Sequence, residues 1–323
     1  MARSTEQPLV TVIIPAFNAE QYLDDTLRSI EAQTYANIEI IVVDDGSTDS
    51  TAELVQAHAP RVRYIHQPNS GSCAAPRNNG LKHAQGEFVT FFDADDIMLP
   101  EKIAQQVRQF QDHPDAVAVI SNYRNFTDTE TSVDHFATCP TITARLADSG
   151  QQAITLPSTE CRRILIDENF TIASSPLFRR SVVDAEQGFD VSLRACEDFH
   201  LIYRVALKGP LVVVPDVGFE RRLHDLNMSG DPERMMFNFI RSRASLVHLE
   251  TTPELQDTLA DLVRHMKREF QTLLIRKGKL REAFGLFSQT LPPTSRRELK
   301  HDVFQGTKLC LTALGLRKVE WPS

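Results

Sequence analysis

The sequence predicts an α/β protein: an open, mostly parallel sheet flanked by helices, with a C-terminal helical extension. Apolar runs of strand length, residues 10–14 and 38–43 among them, are continuous rather than alternating, as in strands buried on both faces. Stretches of helical periodicity separate these runs, so strand and helix alternate over the first ~125 residues, the order of a layered α/β domain. Beyond Asp231 the pattern is helical.

The first strand covers residues 10–14 and ends at Pro15. Tyr22, Leu23, Thr26, Leu27 and Ile30 then recur at helical spacing, and residues 38–43 form the second strand, which completes a β-α-β unit. Ser47, Thr48, Asp49 and Ser50 are capping residues for a helix over 51–57. A third strand is expected at 62–65, a turn-rich segment after it, a short helix near 81–84 and a fourth strand at 88–92. Pro100 suits the first position of a helix whose Ile103, Val107 and Phe110 face the core, and 117–121 reads as a fifth strand. Periodicity is weak over 127–167. Order returns at 171–179, in a helix near 198–207 and in a strand at 211–214, followed by a turn at Pro215-Asp216. In the last segment Leu255, Leu259, Leu262, Val263, Met266, Phe270 and Leu273 make one helical stripe.

Composition bounds the function. The 323 residues are 41% hydrophobic and 24% charged, enough for about two domains with a sizeable core. A net charge of −8 argues against a protein whose main ligand is a nucleic acid. Five cysteines, Cys73, Cys139, Cys161, Cys196 and Cys310, lack C-x-x-C spacing, which favours a reducing compartment and no zinc knuckle. No stretch reaches the ~18 apolar residues of a membrane span, so the expectation is a cytoplasmic protein, soluble or at most peripheral at the inner face of the membrane.

Three strand ends converge on polar or acidic residues: Pro15-Ala16-Phe17-Asn18, Asp44-Asp45-Gly46-Ser47 and Asp93-Ala94-Asp95-Asp96. In open α/β sheets ligands bind outside the carboxyl ends of the strands. Any one Asp or Ser there reads as a turn former or a cap. Several carboxylates at one mouth read as a site for a hard divalent cation, Mn²⁺ or Mg²⁺, which also takes phosphate oxygens. Gly71, Arg77 and Gly80 in GSCAAPRNNG add a permissive turn and an arginine suited to a phosphate or a base edge.

From residue 10 to about 110, the order P-x-F-N, V-D-D-G-S-x-D, A-x-R-N-x-G, G-E-F-V and D-A-D-D resembles the nucleotide-sugar-binding half of the family 2 glycosyltransferases of the GT-A fold. That resemblance implies a metal-dependent transfer of a sugar from a nucleotide-diphosphate donor, with UDP the expected nucleotide. It implies that Pro15, Ala16 and Asn18 lie against the nucleotide and that Asp45 hydrogen-bonds the base. It implies further that Arg77 contacts base or diphosphate, that Asp93 lies near the ribose and that Asp95 ligates the metal.

The resemblance continues past the donor half. GFDVSLRACEDFH matches the stretch that supplies the catalytic base, which makes Asp198 the base and Glu197 its support; Gln187 stands where the family has the first glycine of G-G-F-D. Read from the residues alone, Glu197-Asp198 is a pair favoured at a helix start. RRLHDLNMSG resembles the segment that puts a histidine, here His224, near metal and diphosphate, with Arg222 beside it. One base opposite a metal-held leaving group implies inversion at the anomeric carbon, without a carboxylate nucleophile.

The expected organisation is 1–125 for the donor, 126–230 for the acceptor and base, and 231–323 as a helical region. The acceptor is expected to be a hydroxyl of a saccharide or a lipid-linked glycan, in cell-surface polysaccharide or glycoconjugate synthesis. Other readings are a nucleotidyltransferase, which needs a lysine absent from the loop after Ile14, a receiver-type signalling domain, which leaves the chain beyond ~125 unexplained, and a binding protein that has lost activity. Lys267, Arg268, Arg276, Lys277, Lys279 and Arg281 flank apolar positions, and DVFQGTKLCLTALGLRK is amphipathic with basic ends. Such helices pack on the catalytic domain, join a homodimer or rest on an anionic membrane.

Overall fold

The structure is a computed structural model that describes residues 7–225, 227 and 230–313. The chain divides into two compact units, Met1–Gly230 and Asp231–Ser323.

The first unit opens with β1 (Val10–Ala16), buried along its whole length, followed by α1 (Leu23–Glu31) and β2 (Ile38–Asp44). Leu23, Leu27 and Ile30 of α1 pack on Val10, Val12 and Ile14, so the helical spacing and the strand run meet in one core. The chain continues through α2 (Thr51–Ala57), β3 (Val62–His66), α3 (Ala74–His83), β4 (Phe88–Phe91), β5 (Ile97–Met98), α4 (Lys102–Asp112) and β6 (Ala118–Phe126). The region of weak periodicity holds β7 (Thr131–Asp134), a short 3-10 helix at His135–Thr138, α5 (Pro140–Asp148), β8 (Ile154–Leu156) and α6 (Ser158–Asp167). Then come β9 (Pro176–Arg179), α7 (Arg180–Ala185), α8 (Glu197–Ala206) and β10 (Leu211–Arg222).

One ten-stranded sheet runs through the unit in the order β3-β2-β1-β4-β9-β6-β10-β5, with β7 on β6 and β8 on β10. β1 is parallel to β2 and β4, β2 to β3, and β10 to β6. β9 is antiparallel to both neighbours, β4 and β6. Two reversals restore the original direction, so β1, β2, β4, β6 and β10 all deliver their carboxyl ends to the same edge. The order also reverses at β1: β2 and β3 lie on one side of it and β4 on the other, which opens a crevice at that point.

Three expectations are corrected. The helix near 81–84 is the end of α3, which begins at Ala74; Pro76 lies in its first turn, where a missing N–H costs nothing. Of 171–179, only Pro176–Arg179 is strand. The strand expected at 211–214 does not turn at Pro215-Asp216: β10 runs on to Arg222, absorbing both residues in a register shift between Val214 and Val217. α3 lies close on the sheet because Gly80 has no side chain; a Cβ there would come within 2.4 Å of Ile13 Cγ2.

The second unit is helical: α9 (Pro232–Leu249), α10 (Pro253–Arg276), α11 (Leu280–Thr290) and α12 (Arg296–Ala313). Asp231 caps α9 by accepting from the backbone N–H of Glu233 and Arg234, with Pro232 at the first helical position. Ile240, Val263, Phe270, Leu274, Ile275, Ala283 and Leu309 form its core. Several of its basic residues are not free to meet a partner. Arg268 is buried in ion pairs with Asp302 and Glu298, and Lys277 and Lys279 both hold Glu233. No helix among the described residues is long and apolar enough to cross a membrane.

Candidate active site

The ends of β1 and β2 are laced together. Asn18, with φ 48°, accepts from the Thr48 N–H at 2.9 Å and donates its own backbone N–H to Ser47 Oγ at 2.9 Å. Pro15 and Ala16 are buried in β1, while Phe17 stands 51% exposed at the mouth. Asp45 is buried, and both carboxylate oxygens are engaged: Oδ1 accepts from Gln67 Nε2 at 2.6 Å, and Oδ2 from the Ser70 N–H at 3.0 Å and Ser70 Oγ at 2.9 Å. Asp45 thereby shapes the loop that closes over the end of β2. Gly46 makes that approach feasible, since φ is +81° and a Cβ would lie 2.7 Å from the Asn69 nitrogen.

The acidic loop after β4 contains three unlike carboxylates. Asp96 points inward, accepting from Ser174 Oγ at 2.7 Å and from the Arg222 N–H at 3.2 Å. Burial, then the charges of Asp93 and Asp95, push its carboxyl well above the usual range. Asp95 faces His224: Oδ2 stands 2.9 Å from His224 Nε2 and accepts from Asn227 Nδ2 at 3.3 Å. Burial and Asp93 raise the Asp95 carboxyl too, with His224 acting against them. Arg222 fixes the loop by donating from Nε to the Asp95 carbonyl at 3.1 Å, its guanidinium held between Tyr22 at 4.7 Å and Phe126 at 4.6 Å. The Tyr22 ring also stacks on His224 at 4.8 Å.

Two donors of kinds that divalent cations take, the Asp95 carboxylate and the His224 imidazole, face each other here. No cluster of three His, Cys, Asp or Glu with metal-site geometry occurs among the described residues. Asp95 Oδ2 and His224 Nε2 are 2.9 Å apart, a hydrogen-bond distance that is also compatible with two adjacent donors about 2.1 Å from one octahedral ion. The carboxylate suits Mg²⁺ or Mn²⁺, whereas imidazole is more usual on softer ions; burial is the main cause that raises the Asp95 and Asp96 carboxyls, with the neighbouring acids adding to it.

Arg77 lies elsewhere than against an open cleft. It is 3% exposed, donating from Nη1 to Glu197 Oε1 at 2.7 Å and from Nη2 to Asp93 Oδ1 at 2.6 Å, with its guanidinium 5.2 Å from the Phe189 ring centre. Two carboxylates hold it protonated. Its neighbours on α3 diverge, because successive helical side chains point about 100° apart. Asn78 donates to the Phe189 carbonyl at 2.8 Å and accepts from the Phe189 N–H at 2.8 Å; Asn79 donates to Gln67 Oε1 at 2.8 Å, and Gln67 in turn holds Asp45. The R-N-N run thus fastens three separate parts of the site.

Asp198 stands in the first turn of α8, beside Glu197. Cys196, at φ 59°, turns the chain sharply into that helix, and Gln187 takes φ 59° where the family has glycine. The structure therefore brings together Asp93, Arg77, Glu197 and Asp198 on one side, and Asp95, Arg222 and His224 on the other.

Sequence reasoning missed Tyr22, Asn227 and Ser174. In sequence Tyr22 reads only as part of a helical face, although it also flanks His224 and Arg222. Asn227 had one signal, its place three residues after His224. Ser174 had none, since only folding brings it to Asp96.

Comparison with known proteins bears on the family and the fold. The model of "Glycosyl transferase family 2" matches residues 11–185. Glycosyltransferase GlyG of Streptococcus pneumoniae is 42% identical over 125 residues, 38% of this chain and 41% of the relative. A putative glycosyltransferase of Bacillus subtilis, EpsH, is 39% identical over 133 residues, 40% of this chain and 38% of the relative. The match thus spans less than half the length of either relative. Among solved structures, S. aureus TarS 1-349 in complex with UDP superposes with a TM-score of 0.69 at 19% identity, covering 98% of this chain and 94% of that one. The mannosyltransferase PcManGT from Pyrobaculum calidifontis, in complex with GDP-Man and Mn²⁺, gives 0.60 at 19% identity, over 97% of this chain and 82% of that one. At that identity the two structures speak for the fold. The family match spans more than half of the chain and includes the strand ends, the R-N-N helix and the acidic loop, and on that ground the chain belongs to glycosyl transferase family 2, with the GT-A fold.

Proposed function

We propose that the protein transfers a sugar from a UDP-sugar to a hydroxyl of a saccharide or lipid-linked acceptor, with inversion and with a divalent cation. The observation that carries this reading is the Arg77 bridge, which ties the helix bearing Asp198 to the strand end bearing Asp93 and the acidic loop. A base and a diphosphate site are needed side by side, and this bridge supports that pairing.

Residues 1–125 would hold the donor, with Asn18 and Asp45 at the nucleotide and Asp93 near the ribose. Asp95 and His224 would hold Mn²⁺ or Mg²⁺, with Arg222 bracing the loop; the cation supplies positive charge to the leaving diphosphate. Residues 126–230 would carry the acceptor side. As the acceptor oxygen bonds to the anomeric carbon, the bond to the diphosphate oxygen breaks and its electron pair leaves with UDP. Asp198 takes the hydroxyl proton, and Glu197, locked by Arg77, keeps Asp198 at the start of α8. UDP is supported by the UDP complex of the TarS fold relative, and the cation by the Mn²⁺ complex of PcManGT.

The test is a panel of nucleotide sugars, assayed with Mn²⁺, with Mg²⁺ and with chelator for release of the nucleoside diphosphate and for binding by calorimetry. A UDP-sugar bound and turned over only with metal supports the reading. Turnover undiminished by chelator, or a non-uridine donor preferred, overturns the corresponding part.

A further inference from the structure

Helix α12 has two chemically different sides. Both of its acidic residues point into the helical unit, Asp302 accepting from Arg268 at 2.9 and 3.0 Å and Glu298 pairing with Arg268 at 3.0 Å and Arg264 at 3.2 Å. Gln305 and Leu309 are buried on that same side. The outer side carries Leu299, Val303 and Phe304, which are 50%, 61% and 59% exposed, together with Leu311. Lys300 and Lys308 interleave with them, and the whole lines one shallow open depression. Positions 299, 303, 307 and 311, and 300, 304 and 308, follow i,i+4 spacing, so they form a continuous stripe. Among the described residues of α12, no carboxylate lies on it.

The net charge of the whole C-terminal segment has the same sign. Residues 231–323 hold 16 Lys and Arg against 11 Asp and Glu, whereas the whole chain is −8. The sequence after Ala313 adds Leu314, Leu316, Arg317, Lys318 and Trp321, against the single Glu320.

We infer that the outer stripe of α12 is a docking surface for an anionic lipid bilayer. A helix with exposed large apolar side chains, flanking lysines and no acid on the same face has the chemistry of one lying in the headgroup plane. Phe304, Val303 and Leu299 enter the acyl boundary, while Lys300 lays its stem along it and reaches the phosphates, with the Lys308 ammonium 5.9 Å from the Phe304 ring centre. A second copy of the chain fits less well. Joining two such stripes would bring like charges, Lys300 of each copy among them, to the edges of one apolar seam. The inference is independent of the sugar-transfer reading, because no residue of the crevice enters it.

The test uses the full chain, pelleted with vesicles of phosphatidylcholine alone or with about 30% phosphatidylglycerol, alongside light scattering without lipid. The anionic vesicles should bring down at least about tenfold more protein, and added salt should reduce the difference. Phe304→Glu and Val303→Glu should each abolish binding with unfolding temperature unchanged, since both side chains are solvent-exposed. Lys300→Glu with Lys308→Glu should remove the preference for anionic lipid. Binding absent, equal for both vesicles or unmoved by these substitutions overturns the proposal. So does a dimer that Phe304→Glu converts to monomer, which would assign the stripe to a second copy.

Discussion

The Arg77 guanidinium stands 2.7 Å from the Glu197 carboxylate and 2.6 Å from that of Asp93, so one buried side chain joins elements 120 and 16 residues away in sequence. Removing it leaves Glu197 buried without its counter-charge, a loss of about 3–5 kcal/mol for a broken buried pair. Arg77→Met should therefore lower both the unfolding temperature and kcat. Arg77→Lys should restore charge but not the fork to two acceptors, giving intermediate stability with kcat still depressed. Wild-type kinetics in the lysine variant would show that the bridge has no positioning role.

Asp198→Asn removes the proposed base while keeping size and shape. Proton transfer by a positioned side chain contributes about 10²–10⁴-fold. The expected outcome is a kcat loss in that range, with donor affinity by calorimetry unchanged. A parallel loss of donor affinity would place Asp198 at the donor rather than the acceptor.

His224 and Asp95 are 129 residues apart in sequence and 2.9 Å apart in space. Asp95→Asn and His224→Ala should each weaken the metal-dependent part of UDP binding by at least about tenfold, and leave the small metal-free part intact. Titrating UDP with and without Mn²⁺ separates the two parts. If either variant binds UDP with the wild-type metal dependence, that residue is not a ligand.

Lys102 lies fully inside the first unit, donating to Gln106 Oε1 at 3.0 Å, and burial pushes its ammonium down to about 7. The unfolded lysine holds its proton up to about pH 10.4. Between pH 7 and that value the unfolded state binds more protons, so stability should rise with pH by at most about 1.4 kcal/mol per unit. Below pH 7 both states are protonated and the contribution is flat. Lys102→Met should remove this slope, whatever it costs to leave Gln106 Oε1 without its donor. Urea unfolding from pH 6.5 to 9.5 reads it.

The crevice strands were legible because their signal is local. An apolar run such as residues 10–14 that stops at a proline announces a strand and its end, and the acids that follow announce what the end faces. The least readable region, 127–167, breaks into short elements: β7 of four residues, β8 of three, and helices of nine and ten. Runs of that length hold too few apolar positions to reveal a period. In sequence Pro215 and Asp216 look like a turn that ends the strand at Val214, whereas pairing with β6 carries β10 past both.

By itself the sequence determined the alternation of strands and helices, the three polar strand ends and the family to which the chain is matched. Each of these rests on residues within a few positions of one another. The tertiary structure decided which acids share a partner. Folding sent Arg77 inward to Glu197 and Asp93, aimed Asp96 at Ser174, and set His224 against Asp95. It also turned the acids of α12 inward to Arg268, leaving a face of lysine and apolar side chains outside. The physical reason is the same in each case. A buried charged or polar group must find a partner, and the packing of elements that brings the two together is written in no single stretch of the chain.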